Sequence, residues 1–440
     1  MTQNENLESD AGAARPTSKG SWQSSHKRLF EKILPIVAIP LVLVLVIAVF
    51  GRRTFTDSYQ VWNYLQLAQR VGRTQAGPVP LPLRINIDNQ WEQIVSTVNG
   101  AGVALVHINL SRSSMINTEF NPGNTGSGLI RSIVLPNSVT GIARGFGVFP
   151  NLSSIRFPAS VEIDEVNPFV GLSHATFHPR GSGDLSTIEN RRALVRGGNE
   201  LISFPSASGN VTLDNITTIA RSAFNGTTVE SIYLPSVSTV GMFAFGNCGS
   251  LTTVNLPAAE YIGYGAFLNN TSLQTVSLPA AISIGERAFA GSTSLQTVEL
   301  PAAIAIGANA FHGNTSLQTL YLPSLVSIGN QAAASTGNTA LTITVGEQLE
   351  TIGTWMFYGV TAAKNVVLRV PQSEVAGITA KINAFRGRGW NEGSFTLATG
   401  FNRNTGRTNW EVRGGQWVQV PVMEWVNNFN THINLTVQGF

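Results

Sequence analysis

LTTVNLP (251–257), AAEYIGYGAFLNNTSLQTVSLP (258–279), AAISIGERAFAGSTSLQTVELP (280–301) and AAIAIGANAFHGNTSLQTLYLP (302–323) follow one another without interruption. Pro257, Pro279, Pro301 and Pro323 stand 22 residues apart, as do Gly263, Gly285, Gly307 and Gly329, and Phe267, Phe289 and Phe311. A fixed period of this length is the mark of a solenoid, in which each repeat is one coil stacked on the last.

The apolar positions say how a coil is built. Leu273, Val276 and Leu278 recur as Leu295, Val298 and Leu300, and again as Leu317, Leu320 and Leu322. This is the L-x-x-L-x-L spacing of a leucine-rich strand. Alternation along a strand sends Val276 and Leu278 inward and Thr275 and Ser277 outward. The proline that follows has no N–H to donate and ends the strand's pairing. On the return side Ile284, Ala288 and Phe289 supply the second half of the core, and Gly285 permits a turn where side chains would crowd. A single coil cannot bury these faces, so stability is expected to accumulate from neighbour to neighbour.

The pattern I-G-x-x-A-F-x-G-(N/C)-x-S-L-x-x-V-x-L-P resembles the BspA-like leucine-rich repeat family of bacterial surface proteins. Residues 192–235, RALVRGGNELISFPSASGNVTLDNITTIARSAFNGTTVESIYLP, resemble that family's longer module, in which a hairpin-like insert precedes an ordinary coil. The likeness runs from about Leu129 to Pro371. It implies a leucine-rich repeat fold, α/β or mainly β, with 22-residue coils. Family members are mostly described as adhesins or binding proteins, so it also implies ligand binding.

Ahead of the repeats, residues 1–32 are mostly polar and aperiodic and read as a disordered cytoplasmic tail. Residues 33–50, ILPIVAIPLVLVLVIAVF, carry no charge. As a helix they would be roughly 27 Å long, near the thickness of a hydrocarbon core. With no A-x-A-like cleavage site after Phe50, they are expected to be an uncleaved transmembrane signal anchor. Arg15, Lys19, Lys27, Arg28 and Lys32 lie before the segment against Arg52, Arg53 and Arg70 after it. That balance predicts a single-pass protein with its N-terminus in the cytoplasm and its repeats outside, at the cell surface or in the periplasm.

Residues 51–83 read as a juxtamembrane linker, with a short amphipathic helix in TDSYQVWNYLQLAQRVG and a stiff spacer in GPVPLPLP. The solenoid is expected over 84–371. It opens on an irregular cap in which INIDNQWEQIVSTVNGAGVALVHINLS reads as strand, helix, strand. Phe149 and Phe169 fall near the repeat phenylalanine, whereas beyond Pro323 the register decays and Ala333 takes that place. Residues 372–440 hold four of the eight tryptophans and read as a C-terminal cap or small β module, with an aromatic platform for glycans as the functional alternative.

Chemical signatures are sparse. The chain has 28 basic and 25 acidic residues in 440, which leaves no electrostatic footprint for nucleic acid. Cys248 stands alone, so no intrachain disulfide forms; in GNCGSL it reads as a small buried corner residue. His174 and His178 have the i, i+4 spacing of a helical metal pair, but HATFHP continues a strand. His312 reads as an exposed turn residue, and Asp164 and Glu165 as solvated surface acids. No catalytic, cofactor-binding or metal-binding residue is assigned, and an enzyme is not expected.

What remains is a surface. With strands stacked in register, Tyr233, Asn255, Ser277, Glu299 and Tyr321 form a varied outward column. Beside it runs the near-constant row Ser231, Thr253, Thr275, Thr297 and Thr319, with Glu230, Thr252, Gln274, Gln296 and Gln318 nearby. The column is expected to bind a protein or glycan ligand on the concave face. The bland reading is that these ladders only support the sheet. The functional alternative is a structural envelope protein that self-associates or binds the cell wall.

Overall fold

The computed structural model describes residues 54–70, 77–102, 105–143, 145–336, 340–346, 348–349 and 351–352, together with the backbone of the strands at 365–370, 408–413, 416–421 and 434–439. The tail at 1–32 and the apolar segment 33–50 lie outside the described residues. Among the described residues no helix is long and apolar enough to cross a membrane.

The longer strands form two separate parallel sheets. The first has five, in the order Val79–Pro82, Val106–Asn109, Ile130–Val134, Ser154–Pro158 and Thr176–Arg180. The second has nine, from Ser208–Thr212 through Thr228–Tyr233, Thr253–Asn255, Thr275–Ser277, Thr297–Glu299, Thr319–Leu322, Ala340–Val345 and Asn365–Val370 to Asn434–Gly439. The three-residue strands stop two residues short of Pro257, Pro279 and Pro301. Along them burial alternates as the pattern predicts, with Thr275 and Ser277 exposed and Val276 and Leu278 buried.

The return side is more regular than its sequence suggests. Beyond the insert it is a run of parallel two-residue strands such as Tyr261–Ile262, Ser283–Ile284 and Ala305–Ile306, in one sheet with the antiparallel strands of the insert. The glycine after each strand is required by close approach rather than by φ. A Cβ on Gly285 would lie 2.6 Å from the carbonyl carbon of Gly263, and one on Gly307 would lie 2.4 Å from Glu286 N.

Inside, Phe245, Phe267, Phe289 and Phe311 stack with centroids 5.1–5.6 Å apart and planes within 5°. Phe149 and Phe169 are fully buried, and Phe169 packs on Phe146 and Phe177. At the coil corners Asn270 accepts from the Cys248 amide at 2.8 Å and donates to the Phe245 carbonyl at 2.9 Å. Asn314 likewise accepts from the Ser292 amide at 2.9 Å. A short polar side chain at this place satisfies backbone groups that the turn would leave unpaired.

The N-terminal cap begins earlier than expected. In the stretch read as a linker, Ser58–Arg70 form a helix that packs on the cap helix Ile87–Ala101. The spacer-like VPLP forms the first strand of the sheet and pairs with Val106–Asn109. Val79 and Leu81 point inward, and the alternation of prolines with apolar residues is tolerated because this strand is an edge. Asn86 caps the second helix by accepting from Asp88 N, and Gly102 closes it at φ 61°. Trp91 is buried edge-on against Phe120 and Phe149, and its indole N–H donates to the Pro122 carbonyl at 3.0 Å.

Between the two strand runs sits the insert, built from the antiparallel strands Leu185–Ile188, Ala193–Arg196 and Glu200–Ser203. Leu194 and Ile202 belong to the core of the first run, while Ala193, Val195 and Leu201 belong to the core of the second. The insert is therefore a shared wall, possible because alternate residues of a strand serve opposite faces. Asn167 ties the seam by donating to Ser203 Oγ and the Ser222 carbonyl, each at 3.0 Å.

At the far end the described strand Asn365–Val370 is followed in the sheet by Asn434–Gly439, so the coil pairing continues past residue 371. Thr408–Arg413 and Gln416–Pro421 pair as an antiparallel hairpin.

Candidate functional site

The ladder register brings the predicted column together. Tyr233 pairs with Asn255, Asn255 with Ser277, Ser277 with Glu299 and Glu299 with Tyr321. It extends beyond the predicted ends, to Thr212 beside Tyr233 and Thr344 beside Tyr321. Tyr233 and Tyr321 are 44% and 41% exposed, large values for aromatic rings on a repeat whose other rings are mostly core. Ser277 and Glu299 are exposed and Asn255 is half-buried. Buried valine, isoleucine or leucine on either side of each position holds the strand and leaves its outward side chain free to vary.

The middle of the column is open. Neighbouring strands share three ladder pairs, as between Thr253–Asn255 and Thr275–Ser277, but Thr275–Ser277 and Thr297–Glu299 share only Ser277 with Glu299. The amides of Gln274 and Gln318 donate to the coil before them, at 2.9 Å to Thr252 O and 2.8 Å to Gln296 O. Between coils 274 and 296 the strands part instead. The resulting cleft holds about 610 Å3, and Gln274, Ser277, Pro279, Gln296, Glu299 and Pro301 are among its walls. Val276 at its floor is 7% exposed, whereas Val254 and Val298 are fully covered.

This arrangement offers amide donors and acceptors, hydroxyls, one carboxylate and two proline faces. On the described strands from 208 to 345 the charged residues are Glu230 and Glu299, both acidic. Such a surface is suited to hydrogen bonding with polar, uncharged or cationic groups. The sequence located the column but not the cleft, because a repeat that is nearly identical on both sides carries no sign of where its strands separate.

The remaining candidates are structural. His178 lies on the strand Thr176–Arg180 and His174 on the turn before it. Among the described residues no three of His, Cys, Asp and Glu gather as a metal site would need. Asp164 accepts from the Val166 amide at 2.9 Å in a local turn. His312 is half-buried rather than exposed, because coil stacking covers one side of its turn; that burial, with Arg287 beside it, lowers its pKa. Cys248 is fully buried, its thiol donating to the Phe224 carbonyl at 3.0 Å, and burial raises its pKa. A thiol so placed is a poor nucleophile.

Six copies of the BspA type leucine rich repeat region match the chain, over residues 207–305 and 282–385. Over that stretch the coils match BspA-type leucine-rich repeats. The BspA-type match includes every residue of the predicted column and both walls of the cleft. Among curated proteins none matches the chain.

Several solved structures are similar. A leucine rich cell surface protein from Faecalibacterium prausnitzii A2-165 is 18% identical, with 60% of this chain and 79% of that one covered and a TM-score of 0.35. A leucine-rich repeat protein from Eubacterium ventriosum ATCC 27560 is 17% identical, with coverage of 64% and 89% and a TM-score of 0.37. The T. pallidum leucine rich repeat protein is 22% identical, with coverage of 49% and 96% and a TM-score of 0.34.

Proposed function

We propose that this is a membrane-anchored, extracytoplasmic binding protein that takes a protein or glycan ligand on its long-strand face, in adhesion or cell-surface interaction. The observation that carries the reading is the in-register column, with an exposed tyrosine at each end and a polar cleft between Ser277 and Glu299. Exposed aromatic rings flanking a hydrogen-bonding cleft are the usual anchors of recognition surfaces. Residues 33–50 serve as the anchor in this proposal, and the cap helix Ser58–Arg70 then begins only a few residues beyond the membrane.

Two measurements test it. With a tag after Phe440, protease added to intact cells removes the tag if the repeats face outward; survival of the tag until the envelope is broken refutes surface display. For the face itself, the full chain is screened against immobilised matrix glycoproteins, purified peptidoglycan and its own soluble form. The Tyr233→Ala/Tyr321→Ala variant should keep its thermal unfolding and lose at least tenfold in affinity for whatever is captured. Full binding by that variant refutes the column as the site.

A further inference from the structure

The five-stranded sheet of the first run has different chemistry. Arg156 and His178 are ladder partners on the adjacent strands Ser154–Pro158 and Thr176–Arg180, and Arg180 is partner to Pro158 at the strand end. Arg180 reaches across the intervening strand to donate through Nη2 to the Leu135 carbonyl at 2.7 Å. Arg191 arrives from the insert, where the turn after Leu185–Ile188 sets its Nη1 2.7 Å from His178 Nδ1.

These contacts define the state of the histidine. A guanidinium only donates, so Nδ1 accepts and the proton sits on Nε2, which lies 3.1 Å from Thr176 Oγ1. That hydroxyl in turn donates to the Ser153 carbonyl at 2.8 Å. The imidazole is a neutral strut that steadies Arg191. Burial, Arg191 and Arg156 all lower its pKa, in keeping with this geometry.

Three features of the cluster are unexplained by folding alone. The ion pairs among the described residues involve Arg192, Arg196 and Arg287, and none involves Arg156, Arg180 or Arg191. Arg180 Nε is buried without a protein partner, and a buried donor left unsatisfied calls for a water or an ion. Glu189, Asn190 and Arg191 all have positive φ, at 53°, 54° and 69°. Three successive non-glycine residues in the left-handed region are disfavoured, and such strain gathers where a side chain must be held in one place. The carbonyl of Arg191 clamps the turn by accepting from the Phe177 amide at 2.8 Å.

We propose that Arg156, Arg180 and Arg191, with His178 as a positioning residue, form an oxyanion site for a phosphate or sulfate ester on the ligand. Planar guanidinium forks match such groups with paired hydrogen bonds, and three of them, none in an ion pair with a carboxylate, can engage the three free oxygens of a phosphate or sulfate ester where a carboxylate offers two. The site lies outside the column 233–321 and does not depend on that column's role.

The test uses the full chain in detergent, with inorganic phosphate, dextran sulfate and uncharged dextran as probes in titration calorimetry. Dextran sulfate should bind, more weakly as salt rises, and uncharged dextran should not. Arg156→Gln/Arg191→Gln should weaken binding at least tenfold, and Arg156→Lys/Arg191→Lys should fall between it and the parent. Arg287→Gln removes a positive charge from a distant coil and should change nothing. Phosphate binding as tightly as dextran sulfate assigns a free anion, and tighter binding of the polymer assigns an ester; either supports the site. If the double variant does not fold, the exposed Arg156→Gln alone should lose at least threefold. Binding within twofold of the parent, binding of uncharged dextran, or an equal loss in Arg287→Gln overturns the proposal.

Discussion

Gly285→Ala should be among the most damaging one-carbon additions in the repeats. The added Cβ would sit 2.6 Å from Gly263 C and 2.8 Å from the carbonyl oxygens of Gly263 and Ile262. All three are backbone atoms of the preceding coil, so no side chain can rotate away. Ordinary contact needs roughly 3.4 Å or more, so the coils must separate locally by several tenths of an ångström. At that site they are joined by Gly285 N to Ile262 O at 2.7 Å, Phe267 N to Ala288 O at 2.7 Å and Gly265 N to Glu286 O at 2.9 Å. Overpacking costs about 1–3 kcal/mol, and the partial weakening of these hydrogen bonds adds about 1 kcal/mol in all. The expected loss is therefore about 2–4 kcal/mol. Gly249 is the control, since a Cβ there meets nothing within 4 Å and its φ is not positive; Gly249→Ala should stay within about 0.5 kcal/mol of the parent. Guanidinium unfolding followed by far-UV circular dichroism reads both. Equal stabilities for the two variants would refute the close-approach account of the 22-residue glycine.

Two other expectations follow from buried groups. Cys248 should react with a thiol reagent at least about a thousandfold more slowly in the native protein than in the unfolded chain, because its thiol is covered and access requires unfolding. Cys248→Ser should cost less than about 1 kcal/mol, since Ser292 already fills the equivalent corner two coils on; rapid native labelling would refute the placement. Stability should also fall on mild acidification. His107, His178 and His312 all have folded pKa values below the ordinary histidine value, chiefly through burial, with Arg191 and Arg156 acting on His178 and Arg287 on His312. A depressed folded pKa means that the unfolded chain binds protons first, so stability present above about pH 6.5 is lost as pH drops below it. Thermal melts between pH 7.5 and 5.5 check this, and His178→Gln should shrink the decline; a melting temperature that rises on acidification would contradict the sign.

Much of the fold was legible in residues 251–323, because a solenoid coil repeats the same local solution and the period is written in the chain. The inward and outward sides of each strand followed from alternation, and the register of Tyr233, Asn255, Ser277, Glu299 and Tyr321 followed from equal coil lengths. Cys248 as a buried corner residue was readable too, since Asn270, Ser292 and Asn314 stand at the same place. Irregular segments were harder. VPLP looks like a spacer because prolines break strands, and only its place at the sheet edge lets it be one.

By itself the sequence determined the coil, its period and the order of its faces, all of which depend on contacts between a residue and its equivalent one coil away. Tertiary structure alone decided the features that arise between unlike segments. The cleft at Ser277 and Glu299 depends on how far two nearly identical strands part. The arginine cluster needs the insert's turn to carry Arg191 back to His178 across a strand junction. A repeat constrains nearest neighbours, and neither of these features is a property of one coil and its like.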